Sequence, residues 1–265
     1  MGESGCGKST VGRLIVGLER PTSGEITLAG GKDRHRQVQL MFQDSYAAMN
    51  PRMRVGDILT EPLEIQRTGD ARARRARVAE LLDQVGLPAK AVERYPHEFS
   101  GGQLQRIGLA RSLALNPGLI VADEPVSALD VSIQAQVLNL MRDLQQDLGV
   151  SYVLISHDLS VVDYMADRIG VMYLGKLVEL GPAHEVVRSP RHPYTRALID
   201  AVPAADPGVA PARSTTIHGE LPSALNPPTG CRFRTRCPLA QEICATEPPL
   251  TGDAHQTACH FPLRP

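Results

Sequence analysis

Residues Gly2 to Ser9, read as Gly2-Glu3-Ser4-Gly5-Cys6-Gly7-Lys8-Ser9, constrain the fold more than any other stretch of this chain. They match G-x-x-x-x-G-K-[ST], a loop that hangs between a strand and a helix and turns consecutive backbone N–H groups inward as a nest for phosphate oxygens. Gly5 and Gly7 supply the backbone freedom. Lys8 reaches the phosphates as a point charge, Ser9 offers a hydroxyl to Mg²⁺, and Thr10 adds a hydrogen bond to phosphate. Val11, Leu14, Ile15 and Leu18 then recur at helical spacing, which predicts a helix that points its N-terminus at the phosphates and ends at Arg20-Pro21. A glycine-rich turn capping an ordinary helix would read the same way over so short a stretch, so the rest of the chain has to decide.

Strands and helices alternate beyond the loop, which predicts an α/β fold. A short strand is expected over Glu25 to Ala29, and another, in "RQVQLMFQD", ending at Gln43. A helical insertion follows from Ser45 to Phe99, with Val78, Leu81, Leu82 and Val85 on one face and Gly86 and Pro88 as the stop. A helix from Gln103 to Leu115 ends at Asn116-Pro117. "GLIVADEP" is then a continuous apolar run bounded by turn signals, the pattern of a strand buried on both faces of a parallel sheet. Asp130 is placed to cap a long helix that buries Ile133, Val137, Leu140, Leu144 and Leu148. "SYVLIS" reads as a further buried strand, a short helix starts at Asp158, and "RIGVMYLGKLVELG" reads as two strands hinged at Gly175-Lys176. From Val202 to Pro228 proline, alanine and small polar residues predominate, as in a linker.

Charge is almost balanced, 28 Lys+Arg against 29 Asp+Glu, which argues against a dedicated nucleic-acid binder. The local run Arg72, Arg74, Arg75 and Arg77 reads as a solvated helix face. No stretch is apolar enough to span a bilayer and no leader pattern occurs, so the expected location is the cytosol. Four of the five cysteines, Cys231, Cys237, Cys244 and Cys259, fall near the end of the chain. In a reducing compartment such clustering points to metal or cluster ligation before disulfides. The spacing lacks paired C-x-x-C knuckles, and four thiolates suit Zn²⁺ or an iron–sulfur cluster.

Asp123 and Glu124 close the apolar strand. Adjacent carboxylates beside a phosphate loop suit two roles, Asp123 holding Mg²⁺ through its waters and Glu124 polarising an attacking water. Four more pieces stand in order: "FQD" with Gln43, "FSGGQ" with Ser100, Gly101, Gly102 and Gln103, "SALD" ending at Asp130, and "SHD" with His157. With these six motifs the chain resembles the nucleotide-binding subunits of ABC transporters over residues 1 to about 185. The resemblance implies a nucleotide-binding domain over 1–189 with a helical subdomain over about 45–115. It implies ATP and Mg²⁺ as ligands, with Gly2 to Thr10 cradling the phosphates and Ser9, Gln43 and Asp123 around the metal. It further implies a head-to-tail pair of ATPase subunits. In that pair Ser100 to Gln103 face the partner's γ-phosphate, Asp130 crosses the interface, Gln43 senses metal and water, and His157 contacts the γ-phosphate. Membrane permeases dock on the helical segment.

The tail narrows the resemblance. "SPRHPYTRALIDAVP" followed by "GELPSALNPPTGCRFRTRCPLAQEICATEPPL" is similar to the C-terminal extension, here 190–265, of ATP-binding proteins from dipeptide, oligopeptide and nickel importers. His192 and Tyr194 read as packing residues. The group implies a heterodimer of ATPase subunits, two permeases, an extracellular binding protein, and a location on the cytoplasmic face of the membrane. It implies a [4Fe–4S] cluster on Cys231, Cys237, Cys244 and Cys259 rather than zinc. Competing expectations are import of another solute such as nickel, a soluble ABC-type ATPase acting on DNA or ribosomes, and a non-catalytic assembly subunit. Because family members lead into the loop with a buried strand, the natural chain is expected to begin upstream of Met1, and the chain as written to fold or bind ATP poorly.

Overall fold

In the computed structural model, which describes residues 1–28, 33–201 and 219–264, the run Leu119–Asp123 is the central strand of a parallel sheet. The chain divides into two compact units, Ser9–Ile155 and Met1–Lys8 with Ser156–Pro265, and each is described by itself. Among the described residues no helix is long and apolar enough to cross a membrane.

The Ser9–Ile155 unit carries α1 (Lys8–Val16), whose first residue is Lys8, a short α2 (Arg34–Gln37), and β1 (Val38–Met41). After these come α3 (Val55–Ile65), α4 (Ala71–Gln84), α5 (Gly101–Leu113), β2 (Leu119–Asp123), α6 (Val131–Leu148) and β3 (Ser151–Ile155). The sheet order is β1-β2-β3, in register from Val38 opposite Leu119 to Asp123 opposite Ile155. Ile120, Val121 and Ala122 are wholly buried, as a continuous apolar run predicts for a strand covered on both faces. Helix α1 lies close on this sheet because Gly12 has no side chain: a Cβ there would come within 2.9 Å of Ile155 Cδ1 and 3.1 Å of Val121 Cγ1.

Several details depart from the sequence reading. Helix α1 stops at Val16, before Arg20-Pro21. Gly17 turns to φ +84° and Leu18 N–H donates to Arg13 O at 2.9 Å, a Schellman stop, and Arg34 covers the Leu14 and Ile15 carbonyls. Glu25 to Leu28 form no strand, and Ala29 lies outside the described residues. Strand β1 ends at Met41 and leaves Gln43 in the following turn. Helix α6 buries Val137, Leu138, Met141 and Leu144, so its inner stripe is rotated from the expected one and Leu148 is exposed. The arginine run divides. Arg72 and Arg75 are exposed as expected, while Arg77 donates to Leu113 O at 2.8 Å at the C-terminal end of α5 and Arg74 donates to Thr68 O at 3.0 Å. Cations at a helix C-terminus satisfy carbonyls that lack partners within the helix.

The other unit contains α7 (Leu159–Met165), β4 (Arg168–Tyr173), β5 (Lys176–Pro182), α8 (Ala183–Arg188), α9 (Pro193–Asp200) and a short β6 (Gln256–Thr257). Strands β4 and β5 are an antiparallel hairpin, and β6 adds to β5. The hinge expected at Gly175-Lys176 is a tight turn with Leu174 at φ +43° and Gly175 at φ +79°, the mirror-image turn that matches strand twist. Its core centres on Tyr173, Tyr194 and Phe233, at most 1% exposed, with ring centroids 4.7 to 5.4 Å apart. The linker reading over Val202 to Pro228 falls largely outside the described residues.

Candidate functional site

The loop at Gly2–Lys8 has the backbone that a phosphate nest needs. Gly5 and Gly7 sit at φ +76° and +99°, a region open to glycine at no steric cost. A Cβ on Gly2 would collide with the carbonyl oxygen of Met172. Lys8 opens α1 and is 8% exposed; its ammonium donates to Gly2 O at 2.8 Å and Glu3 O at 2.9 Å, with Cys6 Sγ 3.8 Å away. Ser4, Gly5, Ser9 and Thr10 face solvent, and buried Cys6 accepts from Gly175 N–H at 2.9 Å. The loop is therefore an exposed turn on a buried lysine at a helix N-terminus, an arrangement that suits an anion.

In the Ser9–Ile155 unit the end of β2 carries the acidic pair. Glu124 holds φ +47°, rare for a side chain of its size, with its N–H donating to Ile155 O at 2.8 Å and its Oε2 accepting from Gln43 Nε2 at 2.9 Å. Ser127 Oγ donates to the Glu124 carbonyl at 3.1 Å. Backbone strain of this kind persists where the surroundings over-determine it, commonly at functional sites. Gln43 and Glu124, far apart in sequence, are thus brought together. Asp123 Oδ1 is buried with no hydrogen-bond partner among the described residues. A buried carboxylate oxygen left without a donor suits a hard cation, and Mg²⁺ fits that donor chemistry.

Ser100 is the N-cap of α5: its Oγ accepts from Gln103 N–H at 3.4 Å while Gln103 Oε1 accepts from Ser100 N–H at 3.0 Å. The "SGGQ" stretch is therefore also a capping box. Gly102 has a packing reason as well, since a Cβ there would lie 2.5 Å from Ile133 Cγ2. Asp130 takes the N-cap position of α6, but its side chain makes no cap hydrogen bond and is exposed. The turn before it is held by Gln134, whose Nε2 donates to Val126 O at 2.9 Å and Leu129 O at 3.0 Å. His157 is exposed just after β3, between Ser156 and the α7 cap Asp158.

The four late cysteines are free thiols lining one small cavity of about 10 Å³ together with His192, Phe233 and His260. Burial pushes Cys259 up to about 11 and raises Cys231 and Cys237, which keeps these thiols protonated at neutral pH. His192 caps α9, its Nδ1 accepting from Tyr194 N–H at 3.1 Å. Burial lowers its pKa to about 4, so it is neutral, and its Nε2 has no partner among the described residues. No group of three or more His, Cys, Asp or Glu side chains among the described residues is arranged to hold a metal ion.

Contacts that the sequence reading did not single out tie the second unit together. Arg236 pairs with Glu3 at 3.1 Å, and buried Glu179 receives Arg191 N–H at 2.7 Å, His192 N–H at 3.0 Å and His255 Nε2 at 2.7 Å. Their partners lie as many as 233 positions away, so no local pattern announces them.

Comparison with known proteins places these features in a family. Residues 1–127 match the family described as "ABC transporter", and residues 178–244 match "Oligopeptide/dipeptide transporter, C-terminal region". The chain is 50% identical to the oligopeptide transport ATP-binding protein AppF of Bacillus subtilis, over 98% of this chain and 84% of that protein. It is 51% identical to the di/tripeptide transport ATP-binding protein DppF of Pseudomonas aeruginosa, again over 98% and 84%. Among solved structures, the dimeric post-hydrolysis state of the ATP-binding cassette MJ0796 bound to ADP and Pi is similar at a TM-score of 0.60 and 30% identity, covering 69% of this chain and 83% of that one. With a phosphate loop, an acidic strand end and likeness along nearly its whole length to such proteins, this chain belongs to the ABC transporter family as an ATP-binding, ATP-hydrolysing member.

Proposed function

We propose that this chain is the ATPase subunit of a di- or oligopeptide importer, working at the cytoplasmic face of the membrane against a pair of permeases fed by an extracellular binding protein. The observation that carries the reading is the match of residues 178–244 to the oligopeptide/dipeptide transporter C-terminal region, in a chain whose start matches the ABC transporter family. Gly2 to Thr10 hold the phosphates, with Ser9, Gln43 and Asp123 around Mg²⁺. Glu124 takes the proton of the attacking water, and His157 steadies the γ-phosphate. Ser100 to Gln103 and Asp130 act across a pair of ATPase subunits, where ATP favours closure and hydrolysis releases it. Support for pairing comes from the dimeric structure to which the chain is similar. An apolar cleft of about 310 Å³ in the Ser9–Ile155 unit, lined by Met41, Met49, Pro62, Ile65 and Leu115, has the chemistry to seat a permease's cytosolic helix.

The chain assembled with permeases in vesicles should hydrolyse ATP several-fold faster when binding protein loaded with peptide is supplied. Stimulation by nickel and not by peptide would move the reading to the other solute of this transporter group. Equal turnover with and without permeases would sink the transport role.

A [4Fe–4S] cluster on the four late cysteines is the finer reading, carried by the donor set alone: the cavity they line, about 10 Å³, has room for about one water and would have to open to admit a cluster. Four cysteines and an unpartnered buried His192 Nε2 share one cavity, an all-thiolate donor set with a spare N–H donor for a sulfide. Zinc would take the same four thiolates, and among the described residues no group of three or more His, Cys, Asp or Glu side chains is set to hold either metal. When bound, the cluster would supply a covalent staple and a redox centre. Cys231, Cys237, Cys244 and Cys259 would ligate it, and Phe233 would shield it from water. Anaerobically purified chain should contain about four irons and show thiolate-to-iron absorbance. Iron-free protein carrying stoichiometric zinc would overturn this.

A further inference from the structure

We propose that Arg236, acting with Tyr194, is a positioning residue for the phosphate loop, so that the C-terminal extension is a working part of the ATP site. The inference rests on the reading of Gly2 to Ser9 as that loop. Glu3, the second residue of the motif, is held at three points. Its N–H donates to Tyr194 Oη at 2.9 Å, its carboxylate accepts from Arg236 Nη1 at 3.1 and 3.4 Å, and its carbonyl accepts from Lys8 Nζ at 2.9 Å. The Arg236 and Glu3 side chains are only 11% and 27% exposed, so solvent screens the pair little.

Arg236 is itself fixed. It follows a turn in which Arg234 N–H donates to Cys231 O at 3.0 Å and Arg236 N–H to Phe233 O at 2.9 Å. Phe233 is 1% exposed between Tyr173 and Tyr194, and Arg236 Nη1 also reaches Tyr173 Oη at 3.3 Å. Arg232, from the same turn, donates to Leu174 O in the β4–β5 hairpin, and the next residue, Gly175, donates from its N–H to Cys6 O. The Cys231–Cys237 turn thus reaches the loop at Glu3 directly and at Cys6 through the hairpin.

The consequence is functional because the nest works only while Gly5 and Gly7 keep their positive φ values. A loop released at Glu3 populates other shapes, and affinity falls in proportion to the competent fraction. A fastening that served only to dock the extension would instead cost stability and leave the loop's own mobility unchanged.

The test compares wild type with Arg236→Met, Glu3→Gln, the double variant and Arg236→Lys in the full chain. It reads hydrogen exchange over residues 2–8, binding of fluorescent ATP and ADP analogues, and thermal unfolding. Arg236→Met and Glu3→Gln should each speed exchange at 2–7 and weaken both nucleotides about tenfold, with the unfolding midpoint within about 3 °C of wild type. The double variant should be no worse than either single one, and Arg236→Lys should restore part of the affinity. Unchanged exchange at 2–7 in Arg236→Met, or single losses that multiply in the double variant, would overturn the proposal. Lys8→Ala separates the two readings: nucleotide binding indifferent to it would defeat the phosphate-loop assignment, and exchange in Arg236→Met decides the anchor either way.

Discussion

Glu124→Gln should cut ATP turnover by about 10²- to 10⁴-fold, the usual worth of a positioned general base, while nucleotide affinity stays within about twofold. The geometry makes the substitution a clean one. Glu124 is aimed by its unusual φ of +47° and by the bond from its N–H to Ile155 O, neither of which depends on the side chain's charge. Its contact with Gln43 survives too, because a glutamine oxygen at position 124 can still accept from Gln43 Nε2, now at 2.9 Å from the carboxylate. What disappears is the capacity to take a proton from water. Single-turnover hydrolysis beside equilibrium binding of a fluorescent ATP analogue separates the two quantities. Turnover within a few-fold of wild type would remove Glu124 from the catalytic role, and equal loss of binding and turnover would mark it as structural.

The largest stability effect should come from Glu179→Ala, a loss of about 3–5 kcal/mol. Glu179 is 0% exposed on β5 and receives Arg191 N–H, His192 N–H and His255 Nε2, while His255 Nδ1 faces Glu185 at 3.2 Å. Removing the carboxylate leaves two buried donors, His192 N–H and His255 Nε2, and the part-buried Arg191 N–H without an acceptor, and each unmade bond carries the desolvation cost of its group. The network joins β5, the start of α9 and the segment before β6, so its loss should loosen the cysteine-bearing segment first. Urea unfolding read by hydrogen exchange over residues 176–260 should show this. Glu179→Gln, which keeps an acceptor, should lose clearly less. A cost under about 1 kcal/mol for Glu179→Ala would mean that water replaces the carboxylate and that the network is not a fastening.

The sequence carried the motif chemistry because each motif is short and its physics is local. Glycines at fixed spacing ahead of Lys8, a serine three before Gln103, and an apolar run ending in Asp123 and Glu124 state their backbone demands within a few residues. The parallel sheet was legible for the same reason, since Ile120, Val121 and Ala122 are apolar without alternation. Boundaries were less legible. Pro21 marks a helix stop, but Gly17 and the carbonyl-capping Arg34 stop α1 first, and the Arg34 contact lies 19 and 20 positions from its acceptors. The stripe of α6 was misjudged by a rotation because Leu138 and Met141 face the core while Leu148 does not, and periodicity alone leaves several stripes open on an 18-residue helix rich in leucine.

By itself the sequence determined the family, the order of the nucleotide motifs and the central buried strand, since each follows from near neighbours along the chain. Only the tertiary structure decided which distant groups meet: Gln43 with Glu124, Glu179 with His255, and Arg236 with Glu3 across 233 positions. The physical reason is that an ion pair or buried hydrogen bond depends on distance in space and burial, and a single sequence encodes neither until the chain has folded.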